Sequence, residues 1–274
     1  MAINHFIPEV WSASLLEQWS DQTIVASLLN RDYEGDLRSG NTVHITGIVP
    51  PAIKDYKANN RTTSADPISD TGLDLVVDQE KNFDFYVDDI DRAQAAGSLE
   101  AYTAAAGTAL NEDTEKFLFA LLVAQGTAAA GITPVNDPAT AFNAVRDLRK
   151  GLNKAKAPAG NRILVVNAEF EALLLSNDSK LTSVDTSGDN QGLRNATVGG
   201  LLGFRTITSN FAPEQDEPQA IAFHQDAAAF VSQIQETEGM RATDKFADRV
   251  RGLHVYGGKV IRPKGVQVYT GTSA

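Results

Sequence analysis

The side chains that could do chemistry in this chain are few and badly spaced for it. Gly257-Gly258-Lys259-Val260 comes nearest to a phosphate-binding loop, whose amides and lysine must surround a phosphate. Leu253 stands where the first glycine is needed and Val260 where the hydroxyl is needed. Gly199-Gly200-Leu201-Leu202-Gly203 lacks the dinucleotide spacing and reads as a tight turn. The four histidines, His5, His44, His224 and His254, are too scattered for a metal pair, and no G-x-S-x-G elbow occurs. A spatial triad with His224 or His254 as base stays open at this level, and with it a hydrolase on the central region. The stretch Asp185 to Ala196 has Asn190 and Ala196 where a calcium loop needs its turn glycine and its bidentate glutamate. The carboxylates Asp84, Asp88, Asp89 and Asp91 could hold a hard cation, but exposed strand-end acids fit them better. With no cysteine in the chain, thiolate nucleophiles, disulfides and thiolate metal sites are excluded. No catalytic constellation and no cofactor site emerges, so the chain is read as a non-enzyme.

What remains is architecture. The 274 residues carry 24 Lys and Arg against 35 Asp and Glu, a formal charge of −11. Such a chain has no basic field for gripping nucleic acid through counterion release, and it would be repelled by an anionic membrane. Hydrophobic residues at 42% are enough for a packed core in one large or two interleaved domains. Met1 to Val10 lacks the pattern of a secretory signal, so synthesis in a cytosol is expected. The longest uncharged stretch, Phe117 to Asn136, is apolar only as far as Ala124 and reads as a helix end and a loop, not a membrane span.

From Pro8 to Leu29 apolar residues recur at helical spacing, giving an amphipathic arm that carries Trp11 and Trp19. Core packing is one reading of these tryptophans; anchorage to another subunit is the other. From Leu73 to Asp88 polar and apolar residues alternate over sixteen positions, which predicts a strand of roughly 50 Å. Asn41 to Val49 is its expected partner, across a 22-residue polar linker, Pro50 to Thr71. A long two-stranded ribbon with open edges is marginal alone in water and calls for another chain to cover it. A helix is predicted from Ser98 to Gln125, stopped by Gly126, with Leu99, Tyr102, Ala106, Ala109, Leu110, Phe117, Leu118, Leu121 and Leu122 on its apolar side. Asp137 and Pro138 open a further helix that buries Phe142, Val145, Leu148 and Leu152. Its other side carries Arg146, Arg149, Lys150, Lys154 and Lys156, either as a solvated face or as a contact with an acidic neighbouring subunit. Arg162 to Val166 reads as a buried strand, with Asn167 capping the helix after it. Val198 to Thr208 reads as a turn feeding a strand, and further strands are expected at Ala220 to His224, Ala228 to Gln233, Leu253 to Tyr256, Lys259 to Ile261 and Val266 to Tyr269.

This order of parts resembles the major capsid (coat) protein family of tailed bacteriophages. The resemblance reaches FDFYVDDIDRAQA at Phe83 to Ala95, RILVVNAEFEALL at Arg162 to Leu174, LRNATVGGLLGFRTITSN at Leu193 to Asn210, and FADRVRGLHVYGGKVIRPKGV at Phe246 to Val266. It implies an α+β fold with an N-terminal arm over 1–39, an extended β-hairpin loop over 40–82 and a peripheral domain with a long spine helix over 83–129. An axial α/β domain over 130–245 and C-terminal strands over 246–274 that return to the peripheral domain complete it. It further implies pentamers and hexamers of the chain in an icosahedral shell around double-stranded DNA, without sequence-specific binding, in a virion made in a host bacterial cytoplasm. Scaffolding, portal and decoration proteins would be separate partners, and no membrane is involved. Some relatives crosslink a loop lysine to an asparagine; Lys54 and Lys57 lie in the corresponding loop, with no asparagine or carboxylate identified for such a reaction. Candidate subunit-interface residues are Trp11, Trp19, Lys54, Lys57, Arg61, Asp66, Arg146, Arg149 and Lys150. A bacterial nanocompartment shell, which resembles the same fold, is the alternative.

Overall fold

Strand Arg162–Val166 (β5) is buried along its whole length, and two helical layers account for that. Ile163 and Val165 face one core with Leu118, Phe119 and Leu122. Leu164 and Val166 face a second core with Val145, Leu148, Leu152 and Phe170. An apolar run without alternation is what a strand covered on both faces requires. The computed structural model describes residues 23–34, 41–48, 52–63, 65, 70–88, 99–176, 200–213, 216–243 and 245–271.

In chain order the elements begin with a single turn α1 (Val25–Leu28), β1 (Thr42–Ile48), β2 (Asp70–Val76), β3 (Gln79–Asp88), α2 (Leu99–Gln125) and β4 (Thr127–Ala128). Then come α3 (Pro138–Lys154), β5, α4 (Ala168–Leu174), β6 (Gly200–Leu201), β7 (Phe204–Thr208) and β8 (Ala220–His224). The chain closes with β9 (Ala228–Arg241), β10 (Ala247–Val260) and β11 (Val266–Tyr269). They form three sheets: the hairpin β1-β2, the three-stranded β3-β10-β9, and the six-stranded β4-β11-β8-β5-β7-β6.

The sixteen-residue strand expected at 73–88 is two strands. Its alternation holds, with Leu75 and Val77 buried between exposed Asp74, Val76 and Asp78. Pairing changes hands at Val77-Asp78, however: β2 pairs antiparallel with β1, Leu75 opposite Val43, and β3 pairs with β10, Phe83 opposite Gly252. Gly257 sits against this crossing, where an added Cβ would lie 2.7 Å from Val77 Cα. The two C-terminal strands expected at 253–256 and 259–261 are therefore one strand, β10. Gly257-Gly258 is not a break: Gly257 lets the Val76-Val77 backbone come close, and Gly258 lies against the Leu118 and Leu121 side chains. Likewise the strand expected at 228–233 extends through Arg241 as β9.

Helix α2 has the expected extent, but its burial is uneven. Thr114, Glu115, Leu118, Phe119 and Leu122 are buried, whereas Ala106 and Leu110 are half-buried and Ala109 is exposed. Phe119, absent from the expected stripe, is 1% exposed. Gly126 follows because its Cβ would fall 2.8 Å from Val268 Cγ2. The start of α3 is a full capping box: Asp137 Oδ1 accepts from Thr140 N at 2.7 Å, and Thr140 Oγ1 accepts from Asp137 N at 3.1 Å. The bonds that Asp137 Oδ1 accepts from Thr140 N and Thr140 Oγ1 hold its carboxyl below the usual pKa. In α3, Ala141 and Ala144 join Val145, Leu148 and Leu152 in the core, while Phe142 is half-buried. Between β6 and β7 the glycine-rich stretch makes a two-residue turn, Leu202-Gly203, both at positive φ, the geometry that suits a tight hairpin.

Candidate assembly surfaces

The hairpin is fixed at its base and bare at its tip. Val43, Ile45, Leu75 and Val77 pack with Ala229, Val231 and Val255 of β9 and β10. Beyond β1, residues 52–63 are exposed without exception, Ile53 fully so and Tyr56 at 55%. The segment nevertheless has local order. Asp55 Oδ1 accepts from Lys57 N at 2.9 Å and Ala58 N at 3.2 Å, Arg61 N donates to Tyr56 O at 2.9 Å, and Asn60 and Arg61 take positive φ. A structured turn presenting Ile53, Tyr56, Lys54, Lys57 and Arg61 to solvent leaves apolar surface unburied in a single chain.

Of the residues singled out from sequence, Lys54, Lys57 and Arg61 thus share one turn. Arg146, Arg149 and Lys150 are all exposed on α3. Arg146 pairs with Asp147 at 3.2 Å, and Arg149 donates to the Leu202 carbonyl, pinning the β6-β7 turn to the helix. Trp11, Trp19 and Asp66 lie outside the described residues, as do Asp89, Asp91 and the stretch 185–196. On α2, Lys116 Nζ sits 5.9 Å over the Phe211 ring.

On the three-stranded sheet three arginines pair with acids across strands. Asp84 takes a two-pronged bond from Arg249, at 2.8 Å from its Nε, and this holds the Asp84 carboxyl below its usual pKa. Arg251 donates to Glu238 and Arg241 to Asp248, at 2.6 and 3.0 Å. Asp84 is a cross-strand ion partner here rather than a cation ligand. Among the described residues no cluster of three or more acids and histidines is arranged to hold a metal.

The histidines of the hydrolase alternative are structural. His254 is 4% exposed, with Nε2 3.1 Å from Ser232 Oγ and Nδ1 3.3 Å from Thr114 Oγ1. A serine next to a histidine resembles half of a triad, but a hydroxyl occupies the place of the carboxylate that orients the ring. The ring also lies against Tyr256, centroids 4.7 Å apart, and burial lowers its pKa, with Asp113 opposing. Tyr256, fully buried, donates to Asp113 Oδ2 at 2.9 Å; burial and this carboxylate raise its phenol pKa. His224 Nδ1 accepts from the backbone of Asp226 at 3.2 Å.

Two buried charged groups escaped the sequence reading. Arg162 donates to Pro158 O and Ala157 O, both at 2.6 Å, and to Asn153 Oδ1 at 2.8 Å, so it clamps the turn that joins α3 to β5. Desolvation, with Arg149 nearby, lowers its pKa. Glu115 is 1% exposed and bonds the backbone ahead of α1. Its position on the Leu118 and Leu122 face of α2, three and seven residues before them, was the available signal.

Comparison with known proteins agrees with this geometry. A structure from Mycobacterium phage Che8 is 55% identical over the full length of both chains, with a TM-score of 0.93. The capsid of cyanophage P-SCSP1u shares the fold at 14% identity, covering 96% of this chain and 92% of that one, TM-score 0.78. A virus-like particle from Pyrococcus furiosus shares it at 15% identity, 90% and 91% coverage, TM-score 0.58; at that identity the likeness carries the fold alone, and no cargo-holding role. No curated protein sequence matches. The hydrolase reading is overturned by the structural family to which the chain is assigned. The model of the phage capsid protein family matches residues 35–269, and with the full-length relative it shows that this chain belongs to that family, as a major capsid protein and not an enzyme.

Proposed function

We propose that copies of this chain associate as pentamers and hexamers that close into an icosahedral shell around the double-stranded DNA of a tailed phage. The observation that carries the proposal is the hairpin, anchored through Leu75 and Val77 yet exposed from residue 52 to 63. A neighbouring copy is what covers Ile53 and Tyr56. In this reading residues 1–39 are an arm, 40–82 the extended loop, 83–129 and 246–274 the peripheral domain around α2, and 130–245 the axial domain. Trp11, Trp19, Lys54, Lys57, Arg61, Asp66, Arg146, Arg149 and Lys150 contribute to contacts between copies. The chain is made in the bacterial cytoplasm and acts in the virion, with scaffolding, portal and decoration proteins as separate partners. A net charge of −11 suits a container that encloses DNA without gripping it through many phosphates.

Electron microscopy of the expressed protein tests this. The full chain is expected to give closed particles, and a variant lacking Lys54 to Ser69 to fold, by circular dichroism, yet stay as small species on sedimentation. Normal particles from the deletion would remove the loop from the proposal. Failure of the full chain to assemble with or without its scaffolding partner would remove the shell.

A further inference from the structure

The six-stranded sheet sorts its charges by end. At one end lie the start of β5, the finish of β8 and the β10-β11 connection, where Arg162 is opposite His224. A cleft of about 520 Å³ opens there, lined by Lys156, His224, Arg262 and Lys264 with Ala157 and Pro263. Among the described residues no carboxylate lines it; Asp226 lies 3.7 Å from His224 Nδ1. Lys156, Arg262 and Lys264 are exposed, and their side chains form no ion pair or hydrogen bond among the described residues. The other end, where Val166 is opposite Ala220, carries Glu169 and Glu171 at the start of α4 and Asp216 before β8. These three acids also have no partner among the described residues.

Helix dipoles explain part of this sorting, since acids favour the start of α4 and Lys154 the end of α3. They do not explain Arg262, Lys264 or Asp216, which lie in connections. Elsewhere in the chain arginines meet acids internally, as Arg249 meets Asp84 and Arg251 meets Glu238. The two ends are about 15 Å apart along β5 and cannot neutralise each other within one chain. Between copies they can, and a contact in which one end meets the opposite end of the next molecule makes a ring where the rotation between copies closes.

We propose that Lys156, Arg262 and Lys264 dock Glu169, Glu171 and Asp216 of a second copy, head to tail, within a capsomer. This rests on the shell reading above and goes beyond its interface residues. Exposed ion pairs are individually weak, so the contact sets register and partner choice more than affinity. An acidic partner in every capsomer also keeps these cations off the packaged DNA.

Charge exchange tests it. K156E/R262E/K264E and E169K/E171K/D216K are made separately and combined in one chain, with the unaltered chain assembled in parallel so that failure of the shell reading shows independently. Each single-end variant should melt within a few degrees of the unaltered subunit but lose about ten-fold or more in particle yield at low salt. The combined chain should recover most of the yield. Normal yield from either single-end variant overturns the proposal, as does failure of the combined chain to recover while its subunit remains folded. Particles that form normally but no longer retain DNA overturn it too, by assigning the cleft to phosphate.

Discussion

Glu115 Oε1 accepts the backbone N–H of Val25 at 2.7 Å, joining residues ninety positions apart in the chain, and accepts that of Ile24 at 2.8 Å. One carboxylate of the spine helix thereby satisfies two backbone donors at the start of α1 and fixes where the N-terminal segment enters the body. Val25, Leu28 and Leu29 then complete the core against Leu118, Phe119 and Leu122.

Replacing Glu115 with Ala leaves two N–H groups without this acceptor in a buried place, and a loss of about 3 kcal/mol is expected. Glu115→Gln keeps an acceptor oxygen and should lose less. Limited proteolysis should cut the Ala variant near residues 23–34 faster than the unaltered chain. Equal cutting rates would show that hydrophobic contacts alone hold the segment.

Arg162 differs in that its three acceptors, at Asn153, Ala157 and Pro158, surround one planar guanidinium. Arg162→Lys should therefore fail to rescue, because one ammonium cannot reach all three. We expect both Arg162→Lys and Arg162→Ala to lose about 1–3 kcal/mol in denaturant unfolding of the subunit, because the bonds of the guanidinium to its three acceptors are lost. A Lys variant as stable as the unaltered chain would show that charge, not the fork, matters.

Gly257→Ala places a methyl group against the Val76 carbonyl and Val77 Cα, backbone that cannot swing aside. The crossing from β2 to β3 must shift, at about 1–3 kcal/mol. Gly239→Ala on β9 meets nothing within 4 Å and is the control. A Gly257→Ala subunit whose hairpin amides exchange no faster than the control's would show the crossing to be slack.

His254 titrates below its ordinary value of 6.5 because burial disfavours the imidazolium, with Asp113 partly offsetting. As pH falls, the unfolded chain takes up this proton first. The stability contributed by the neutral ring is thus complete above about 6.5 and is lost as pH falls towards the folded-state value. Melting of the subunit between about pH 7.5 and 5 should show a fall that is shallower in His254→Gln. Lys81, opposite His254 on β3, and Asp113 are charged neighbours, so the same slopes measured in their amide or alanine variants separate their part. Identical slopes in the parent and His254→Gln would assign the acid sensitivity elsewhere.

The sequence by itself determined the parts whose cause is local. Alternation from Leu75 to Val87 set which side chains face inward, the run Arg162 to Val166 showed a strand covered on both faces, and Asp137 with Pro138 placed the start of α3. The order of those parts, with the stretches at 83–95, 162–174, 193–210 and 246–266, was enough to point to the family. The tertiary structure decided the rest, because it depends on residues far apart in sequence. Periodicity says which way a side chain points but not which strand lies beside it, so the change of partner at Val77-Asp78 and the continuity of β10 through Gly257-Gly258 could not be read. The partners of Glu115 and Arg162 came into view only when Ile24, Val25 and the α3-β5 turn closed over them. The unpaired cations at Lys156, Arg262 and Lys264 became one cleft only when β8 and β11 paired, since more than a hundred residues separate Lys156 from Arg262 along the chain.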